Sequence, residues 1–401
     1  MDLDLVFLGT SGSVPTARRG PTALLLRRGG ERILFDCGEG TQRQLLRSTV
    51  GLAELPEVFL THYHADHYLG LPGMLKTFAL RGRELPLTVY GPPGLGDLFE
   101  ALKRVFGKLT YPLHLRELAA GDVLERDGYR IVVFRVHHGV VANGYALVED
   151  ARPGRFDLDA ARALGVPEGP LYGLLQRGEP AVLADGRTIA PEQVLGAPRP
   201  GRKVVIAGDT RPTSSVAEVA SEGDVLVHDA TFSTEERERA DETGHATAAG
   251  AAELARVARV KLLVLVHLSN RYFGPELARE ARGVFPDAVV PRDFDIVDVR
   301  FPERGGPRLV KGGALEVADG EAERMARMVQ VAVANDLTEA EEIRTILESA
   351  GIASEFESAV EHHPTSLDDG PQKVLVPEAS LEAAQHAIEA MTDPDELIGG
   401  R

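Results

Sequence analysis

Short apolar runs alternate with helix-forming segments over roughly the first 300 residues, and most of the runs end in Gly, Asp or His. In order they read DLDLVFLGT, TALLLRR, ERILFDCG, EVFLTH, LTVYG, YRIVVFRV, NGYALVE, KVVIAGD, DVLVHDAT and KLLVLVH. Alternation of this kind builds an α/β domain, and such domains place their chemistry at strand ends and in the loops that follow. Helices are expected near Gly70 to Leu80, Gly94 to Phe106, Ser214 to Ala220 and Thr247 to Ala258, the last an Ala-rich, strongly helix-forming run. No internal repeat of fixed period is present.

The residues at those strand ends are mostly metal-ligand types. THYHADHYLG, Thr61 to Gly70, follows an apolar strand. His62 and His64 are two apart, so the period-two geometry of a strand aims both imidazoles to one side. Asp66 and His67 follow in the turn toward a helix. Further along stand His137 and His138 in RVHHGV, Asp209 in VVIAGDT, His228 and Asp229 in VLVHDATF, His245 in TGHAT and His267 in LLVLVHLSN. A lone strand-end histidine is ordinarily a hydrogen-bonded structural residue; the ordered set is what points to a metal. Two bridged first-row cations need about six or seven ligands, and imidazole with carboxylate suits Zn²⁺. The single cysteine, Cys37, excludes an internal disulfide framework and a cysteine-rich zinc finger.

Charge bounds the partners. The net charge of -17 argues against nucleic acid, because phosphate neutralisation supplies most of such affinity. Its distribution reverses that argument: Asp319 to Arg401 holds 19 acidic and 5 basic residues, which leaves 42 and 39 for the preceding 318. A basic face on the nearly neutral main body is therefore possible. The start, MDLDLVFLGT, places Asp2 and Asp4 where a secretory signal carries positive charge, and no apolar run approaches the roughly 18 residues of a membrane span. A cytoplasmic protein without membrane contact is the expectation.

Two stretches break the alternation. Asp150 to Arg202 is rich in Gly, Pro and Arg and too long for a simple connection, so it reads as a protruding arm or a disordered insertion. Residues 303–327 read as a linker. Beyond it, 328–392 carries the pattern of a βαββα unit close to a ferredoxin-like fold, with Thr338 and Ser380 as helix N-caps. That unit holds no cluster of catalytic residue types. His362, His363 and His386 are expected on its surface, and its role is expected to be regulation or interaction with a partner that the residues do not identify.

With these residues in place, the chain resembles the metallo-β-lactamase superfamily and, within it, the short-form ribonuclease Z family of tRNA 3′-processing endonucleases. The likeness runs from about Leu5 to Pro302 through FLGTSGSVPTARRG, LFDCGEGTQRQLL, LTHYHADHYLGLPG, LTVYGPPG, HGV with GYALVE, GPLYGLLQRGE, GDTRP, VLVHDATF, GHAT and VHLSNRY, all in order. The implied fold is an αββα sandwich over 1–302 with an inserted arm near 150–202. The implied cofactor is two zinc ions: His62, His64 and His138 on one, Asp66, His67 and His267 on the other, Asp209 bridging. Spacing alone leaves the His137/His138 doublet open; the family's histidine directly precedes GV, which selects His138. Asp36 is implied to lie beneath the site and orient a ligand.

The resemblance also implies a reaction. The substrate is precursor tRNA, cut after the discriminator nucleotide to leave a 3′-hydroxyl. His245 gives the leaving oxygen its proton, Asp229 orients His245, and Asp66 can accept a proton from the attacking water. The family motif H-E-A-T here reads His228-Asp229-Ala230-Thr231, one methylene shorter at the acid, so the Asp229 to His245 contact is expected to need a backbone shift or a water. The arm is implied to clasp tRNA across a homodimer, with Gly169-Pro170 at its tip region and Arg152, Arg155, Arg162, Arg177 and Arg187 as its positive charges. Arg18 and Arg19 in PTARRG are implied phosphate contacts. Two rival functions remain open from sequence: the same fold acting on a small phosphodiester, arylsulfate or lactone, and a regulatory RNA- or partner-binding protein with an acidic sensing module.

Overall fold

The computed structural model describes residues 1–52, 55–312, 328–335, 337–350, 352, 354–358, 372–377 and 380–391. The chain forms two compact units, Met1–Ala314 and Leu315–Arg401. The first opens with strands β1 (Leu3–Gly9), β2 (Ala23–Arg28), β3 (Glu31–Phe35), β4 (Glu57–Phe59), β5 (Leu87–Gly91) and β6 (Leu113–Glu117). A second sheet begins with β7 (Val123–Arg126), β8 (Tyr129–Arg135) and β9 (Asn143–Glu149). After the small hairpin β10 (Ala181–Val182) and β11 (Thr188–Ile189), it is completed by β12 (Lys203–Ile206), β13 (Val225–Asp229), β14 (Leu262–Val266) and β15 (Ala288–Val289). Strands β16 (Ile296–Asp298) and β17 (Arg308–Val310) return to the first sheet.

The two sheets run β17-β16-β1-β2-β3-β4-β5-β6 and β15-β14-β13-β12-β9-β8-β7. Residue alternation assembles them into layers. Leu5, Phe7, Leu26, Phe35 and Phe59 of the first sheet meet Ile131, Tyr145, Val204, Val227 and Val264 of the second in one shared core. The residues between them point the other way. Val6, Leu8, Leu34, Val58 and Val89 pack beneath helices Gly70–Leu80 and Leu95–Phe106. Val205, Leu226, Leu263 and Leu265 pack beneath helices Ser214–Ala220, Ala248–Ala258 and Gly274–Arg282. The result is the helix-sheet-sheet-helix sandwich that the resemblance implied, with its helices at the expected positions. Thr247 caps Ala248–Ala258 by accepting from the Gly250 amide, and the buried face of that helix is Ala248, Ala251, Ala252, Ala255 and Ala258, small enough for close approach to the sheet.

Strand direction positions the site. Strands β3 to β6 are mutually parallel, as are β12 to β15. Two antiparallel pairings, β8 with β9 and β9 with β12, turn β8 to run with β12. Residues just past β4, β8, β12, β13 and β14 therefore emerge at C-terminal strand ends.

The insertion is ordered. Bridges Arg152↔Arg199 and Phe156↔Leu195 form its stalk, and helices Leu158–Ala163 and Pro170–Gln176 pack with β10 and β11 around Ala161, Val166, Leu175, Ala181, Ile189 and Val194. Its two ends meet where Glu149 N–H donates to the Arg202 carbonyl at 2.9 Å. There the buried Glu149 carboxylate accepts from Arg202 Nε and Nη2, both at 2.7 Å, and from Arg28 Nε at 3.1 Å. Glu149→Ala leaves the buried Arg202 guanidinium without its counter-charge and Arg28 with Glu31 alone, and is expected to cost about 3–5 kcal/mol. Urea unfolding measures this, and a midpoint equal to wild type would refute it.

The stretch read as a linker begins later than the sequence suggests, because Arg308–Val310 pairs with β16 as the edge strand β17. In the C-terminal unit, β18 (Met328–Ala334), helix Leu337–Ser349, β19 (Glu355–Ser358), β20 (Gln372–Pro377) and helix Leu381–Met391 follow one another. The sheet order is β18-β20-β19 with both pairings antiparallel, so β18 and β19 run parallel with β20 between them. Ala334, Ala340, Leu347, Val374, Val376 and Ala384 form its core. Its first helix starts at Leu337, which puts Thr338 inside the first turn rather than at the cap. His362, His363 and the side chain of His386 lie outside the described residues. Among the described residues, no helix is long and apolar enough to cross a membrane.

Candidate metal centre

Just past β4, the chain leaves the sheet at Leu60, whose carbonyl is held by the buried Tyr145 hydroxyl at 2.7 Å. His62 and His64 follow, and the turn Ala65–Tyr68 carries Asp66 and His67. His138 arrives after β8, Asp209 after β12 and His267 directly after β14. Their nitrogen and oxygen atoms converge in overlapping groups, each within 4.8 Å: His62 with His64 and His138; Asp66 with His67 and His267; His62 with His67 and Asp209. In the first group His64 Nδ1 lies 3.0 Å from His62 Nε2 and 3.1 Å from His138 Nε2. In the others, Asp209 Oδ2 is 3.1 Å from His267 Nε2, 3.3 Å from His67 Nε2 and 3.8 Å from His62 Nε2.

Oxygen partners behind the rings fix which nitrogen faces inward. His62 Nδ1 meets Thr61 Oγ1 at 3.0 Å, His67 Nδ1 donates to Asp36 Oδ2 at 2.8 Å, His138 Nδ1 to the Gly244 carbonyl at 3.0 Å, and His267 Nδ1 to Thr231 Oγ1 at 2.8 Å. Each ring is left with Nε2 pointing into the cluster, the arrangement in which an imidazole ligates a metal. Asp36 also accepts from the Thr61 amide at 2.8 Å, so it lies beneath His67 and ties two segments together. Asp36, His267 and Ser13 adopt left-handed backbone, φ 57°, 59° and 61°, at about 1 kcal/mol or more each. The Ser13 amide uses that turn to donate to Asp66 Oδ2 at 2.8 Å.

The group fits a cation. His67 Nε2 is buried without a hydrogen-bond partner, although it faces two carboxylates. Burial lowers the His67 pKa, yet Asp209 and Asp36 raise it well above its ordinary value. Burial likewise raises the Asp209 carboxyl, but His267 and His67 hold it well below. A proton between these groups does what a metal ion does better: it supplies the positive charge that two buried carboxylates require.

Asp229 and His245 stand apart from that ligand set. The group of Asp209, Asp229, His245 and His267 is also close-packed, but Asp229 is fully engaged. Its Oδ1 accepts from Thr231 N–H at 2.8 Å and Thr231 Oγ1 at 2.6 Å, its Oδ2 from His245 Nδ1 at 2.8 Å and the Ala246 amide at 3.2 Å. No lone pair remains for a metal. Of the expected backbone shift or bridging water, the direct 2.8 Å contact makes the water unnecessary: the shorter acid touches His245 itself. Burial lowers the His245 pKa, but Asp229 outweighs it and raises the pKa to about 9. Cations at Asp209, 4.0 Å from His245 Nδ1, would pull it back toward neutrality.

Period-two geometry sorts the remaining histidines. Asp229 faces the cluster, so its neighbour His228 faces the helix layer, buried, with Nδ1 on the Asp229 carbonyl at 2.8 Å and outside every metal-type group. His137 is exposed and also outside those groups. Sequence reasoning missed Thr231, whose hydroxyl joins His267 to Asp229, and the Ser13 amide. Thr231 lies in the HDAT motif and was within reach; a backbone donor is invisible to residue patterns.

The loop Thr10 to Gly20 borders the centre. Arg18 is exposed, and its side chain has no partner among the described residues. Arg19 differs from the implied phosphate contact: its Nη1 is committed to Thr10 Oγ1 at 2.6 Å and the Pro291 carbonyl at 2.8 Å. Beneath it Asp293 accepts from Thr10 Oγ1, the Gly20 amide and Gln44 Nε2, each at 2.7 Å. Burial pushes the Asp293 carboxyl up to about 6, against the pull of these donors and of Arg19. The folded state then holds this proton more tightly than the unfolded chain. Its stabilising contribution is complete near pH 4 and lost as pH rises to about 6. Relative to Asp293→Asn, the wild type is expected to lose at most about 3 kcal/mol between pH 4 and 7. Paired unfolding curves across that range check it; a pH-independent difference would refute it.

On the arm, Gly169 and Pro170 are exposed at the start of the second arm helix. Arg162, Arg177 and Arg187 pair with Glu168, Glu179 and Asp185 at 2.7–2.8 Å, and Arg152 pairs with Glu303 at 2.6 Å.

An αββα sandwich with a His/Asp cluster at the C-terminal ends of its strands defines a metallo-β-lactamase-fold hydrolase, and the model of the metallo-β-lactamase superfamily matches residues 17–272. The ribonuclease Z of Myxococcus xanthus is 52% identical over 271 residues, 67% of this chain and 88% of that protein. That of Natronomonas pharaonis is 48% identical over 308 residues, 76% of this chain and 100% of that protein. Human tRNase Z, short form, superposes with a TM-score of 0.53 at 27% identity, covering 74% of this chain and 100% of its own. The chain belongs to the ribonuclease Z family of endoribonucleases within that superfamily.

Proposed function

We propose that this chain removes the 3′ trailer of precursor tRNA, cutting after the discriminator nucleotide and leaving a 3′-hydroxyl on the tRNA. The observation that carries the reading is the Asp229–His245 pair, held at 2.8 Å beside the convergent His/Asp cluster, with the Asp229 carboxylate fully taken up by four hydrogen bonds. His62, His64 and His138 would hold one zinc, and Asp66, His67 and His267 a second, with Asp209 between them. When bound, two such ions polarise the phosphoryl oxygens and make a water nucleophilic at neutral pH. With Nδ1 on Asp229, His245 presents Nε2 to the leaving 3′ oxygen and gives it a proton. Asp66, held by the Ser13 amide, would accept a proton from the attacking water.

The arm supports an RNA substrate. Its exposed ion pairs are each worth about 0–1 kcal/mol, so phosphates can displace the acids from Arg162, Arg177 and Arg187 at little cost. Arg18 and Gly169-Pro170 add exposed contacts, and engagement of the tRNA elbow from the second chain of a homodimer fits an arm that projects on its own stalk. The C-terminal unit, with its third strand between the first two, fits a ferredoxin-like module for an interaction partner.

Incubation of the metal-loaded protein with trailer-bearing precursor tRNA tests the reading. Absence of cleavage at the discriminator, with turnover of a small phosphodiester retained, would favour the small-substrate reading instead. Replacing residues 151–200 by a short Gly-Ser bridge is expected to raise KM for precursor tRNA about 100-fold and to flatten its salt dependence, since several phosphate contacts are lost. An unchanged KM would remove the arm from tRNA recognition.

A further inference from the structure

A cavity of about 630 Å³ lies against His245, outside the metal-ligand cluster, and nothing above uses it. Its walls are Ala217 of helix Ser214–Ala220 and Leu254 and Val257 of helix Ala248–Ala258, with Arg211, Arg237, Asp241 and Glu253 as its charged residues. Arg211 stands two residues past Asp209, anchored by its amide on the His137 carbonyl at 3.0 Å. Its Nε is shielded from solvent and has no hydrogen-bond partner. Arg237 forms no ion pair among the described residues, whereas most of the arm arginines are paired. A buried donor without an acceptor is costly, and the side chain that bears it lines space able to hold one nucleotide.

Reaction geometry selects which nucleotide. In an in-line displacement the leaving oxygen lies opposite the nucleophile, and the group that protonates it touches the nucleotide bearing it. If His245 is that group, as the function proposed above requires, the space it lines belongs to the last nucleotide of the mature RNA. The trailer departs with the phosphate on the metal side.

We propose that this cavity binds the discriminator nucleotide, its base against Ala217, Leu254 and Val257 and its 5′ phosphate on Arg211, so that the bond to be cut is selected by seating this base. Apolar walls suit any of the four bases, because every base has a stacking face and stacking is tolerant of sequence; of the charged residues at the rim, Arg211 and Arg237 can meet a phosphate and Asp241 and Glu253 cannot.

Four precursor tRNAs decide the matter: the natural one, one abasic at the discriminator, one abasic at the first trailer nucleotide, and one abasic at both. With wild-type protein, removing the discriminator base is expected to lower kcat/KM about tenfold, in the range of one lost base stack, while removing the trailer base has little effect. Ala217→Trp, which fills the cavity, is expected to erase the discriminator penalty. A penalty that falls on the trailer base instead, or one that persists in Ala217→Trp, overturns the assignment. The wild-type comparison decides alone if the variant fails to fold. A wild-type protein that cleaves no precursor overturns the nuclease reading and this one together, whereas cleavage without a discriminator penalty overturns the cavity assignment alone.

Discussion

Asp209→Asn is expected to lower RNA cleavage by about 10³-fold or more, since a carboxylate shared by two cations contributes several kcal/mol of charge organisation. The substitution keeps the shape of the side chain and removes its charge. Asp209 Oδ2 lies within 3.8 Å of three ring nitrogens, on His62, His67 and His267, so it reaches both groups of the cluster. Two readouts belong to the experiment. Cleavage rate reports the chemistry, and metal content per chain, measured on the purified protein, reports the ligation. The variant is expected to retain fewer ions than wild type. Undiminished cleavage with an undiminished metal content would remove Asp209 from the centre; lost cleavage with full metal content would show that its charge acts on the reaction rather than on binding.

The convergence of these side chains was legible because the set is local in part and rhythmic in the rest. His62, His64, Asp66 and His67 fall within six consecutive positions, and strand-end placement marks Asp209, His138 and His267. Strand alternation also carries the information that separates Asp229 from His228, although a list of ligand-type residues does not use it. The arm was harder to read because its core of Ala161, Val166, Leu175 and Ile189 is too small to leave a periodic apolar signal. The same reason hid β17, a three-residue edge strand inside a Gly- and Pro-rich stretch. The surroundings of Arg19 were hidden for a different reason: sequence gives its charge but not Thr10 Oγ1 and the distant Pro291 carbonyl, which hold its Nη1.

His245→Ala is expected to slow cleavage of precursor tRNA by about 10²- to 10⁴-fold, the usual range for loss of a positioned acid. The same substitution is expected to leave hydrolysis of a p-nitrophenyl phosphodiester nearly unaffected, because that leaving group departs as an anion and needs no proton. This contrast separates proton donation from metal binding: a ligand would be needed for both substrates, a general acid for only one. Equal losses on the two substrates would place His245 among the ligands. Asp229→Asn supplies the complementary case. All four hydrogen bonds into Asp229 are donated by N–H or O–H groups, from Thr231 twice, His245 and Ala246. Whichever way an asparagine amide is turned, its NH₂ meets a donor: on the Oδ2 side it rotates His245 or forces its proton onto Nε2 in the neutral tautomer, and on the Oδ1 side it opposes the Thr231 N–H, while in both cases the carboxylate charge that favours protonated His245 is gone. Cleavage of RNA is then expected to fall toward the level of His245→Ala, and combining the two changes is expected to cost little more than His245→Ala alone, since residues that act as one unit do not lose their effect twice.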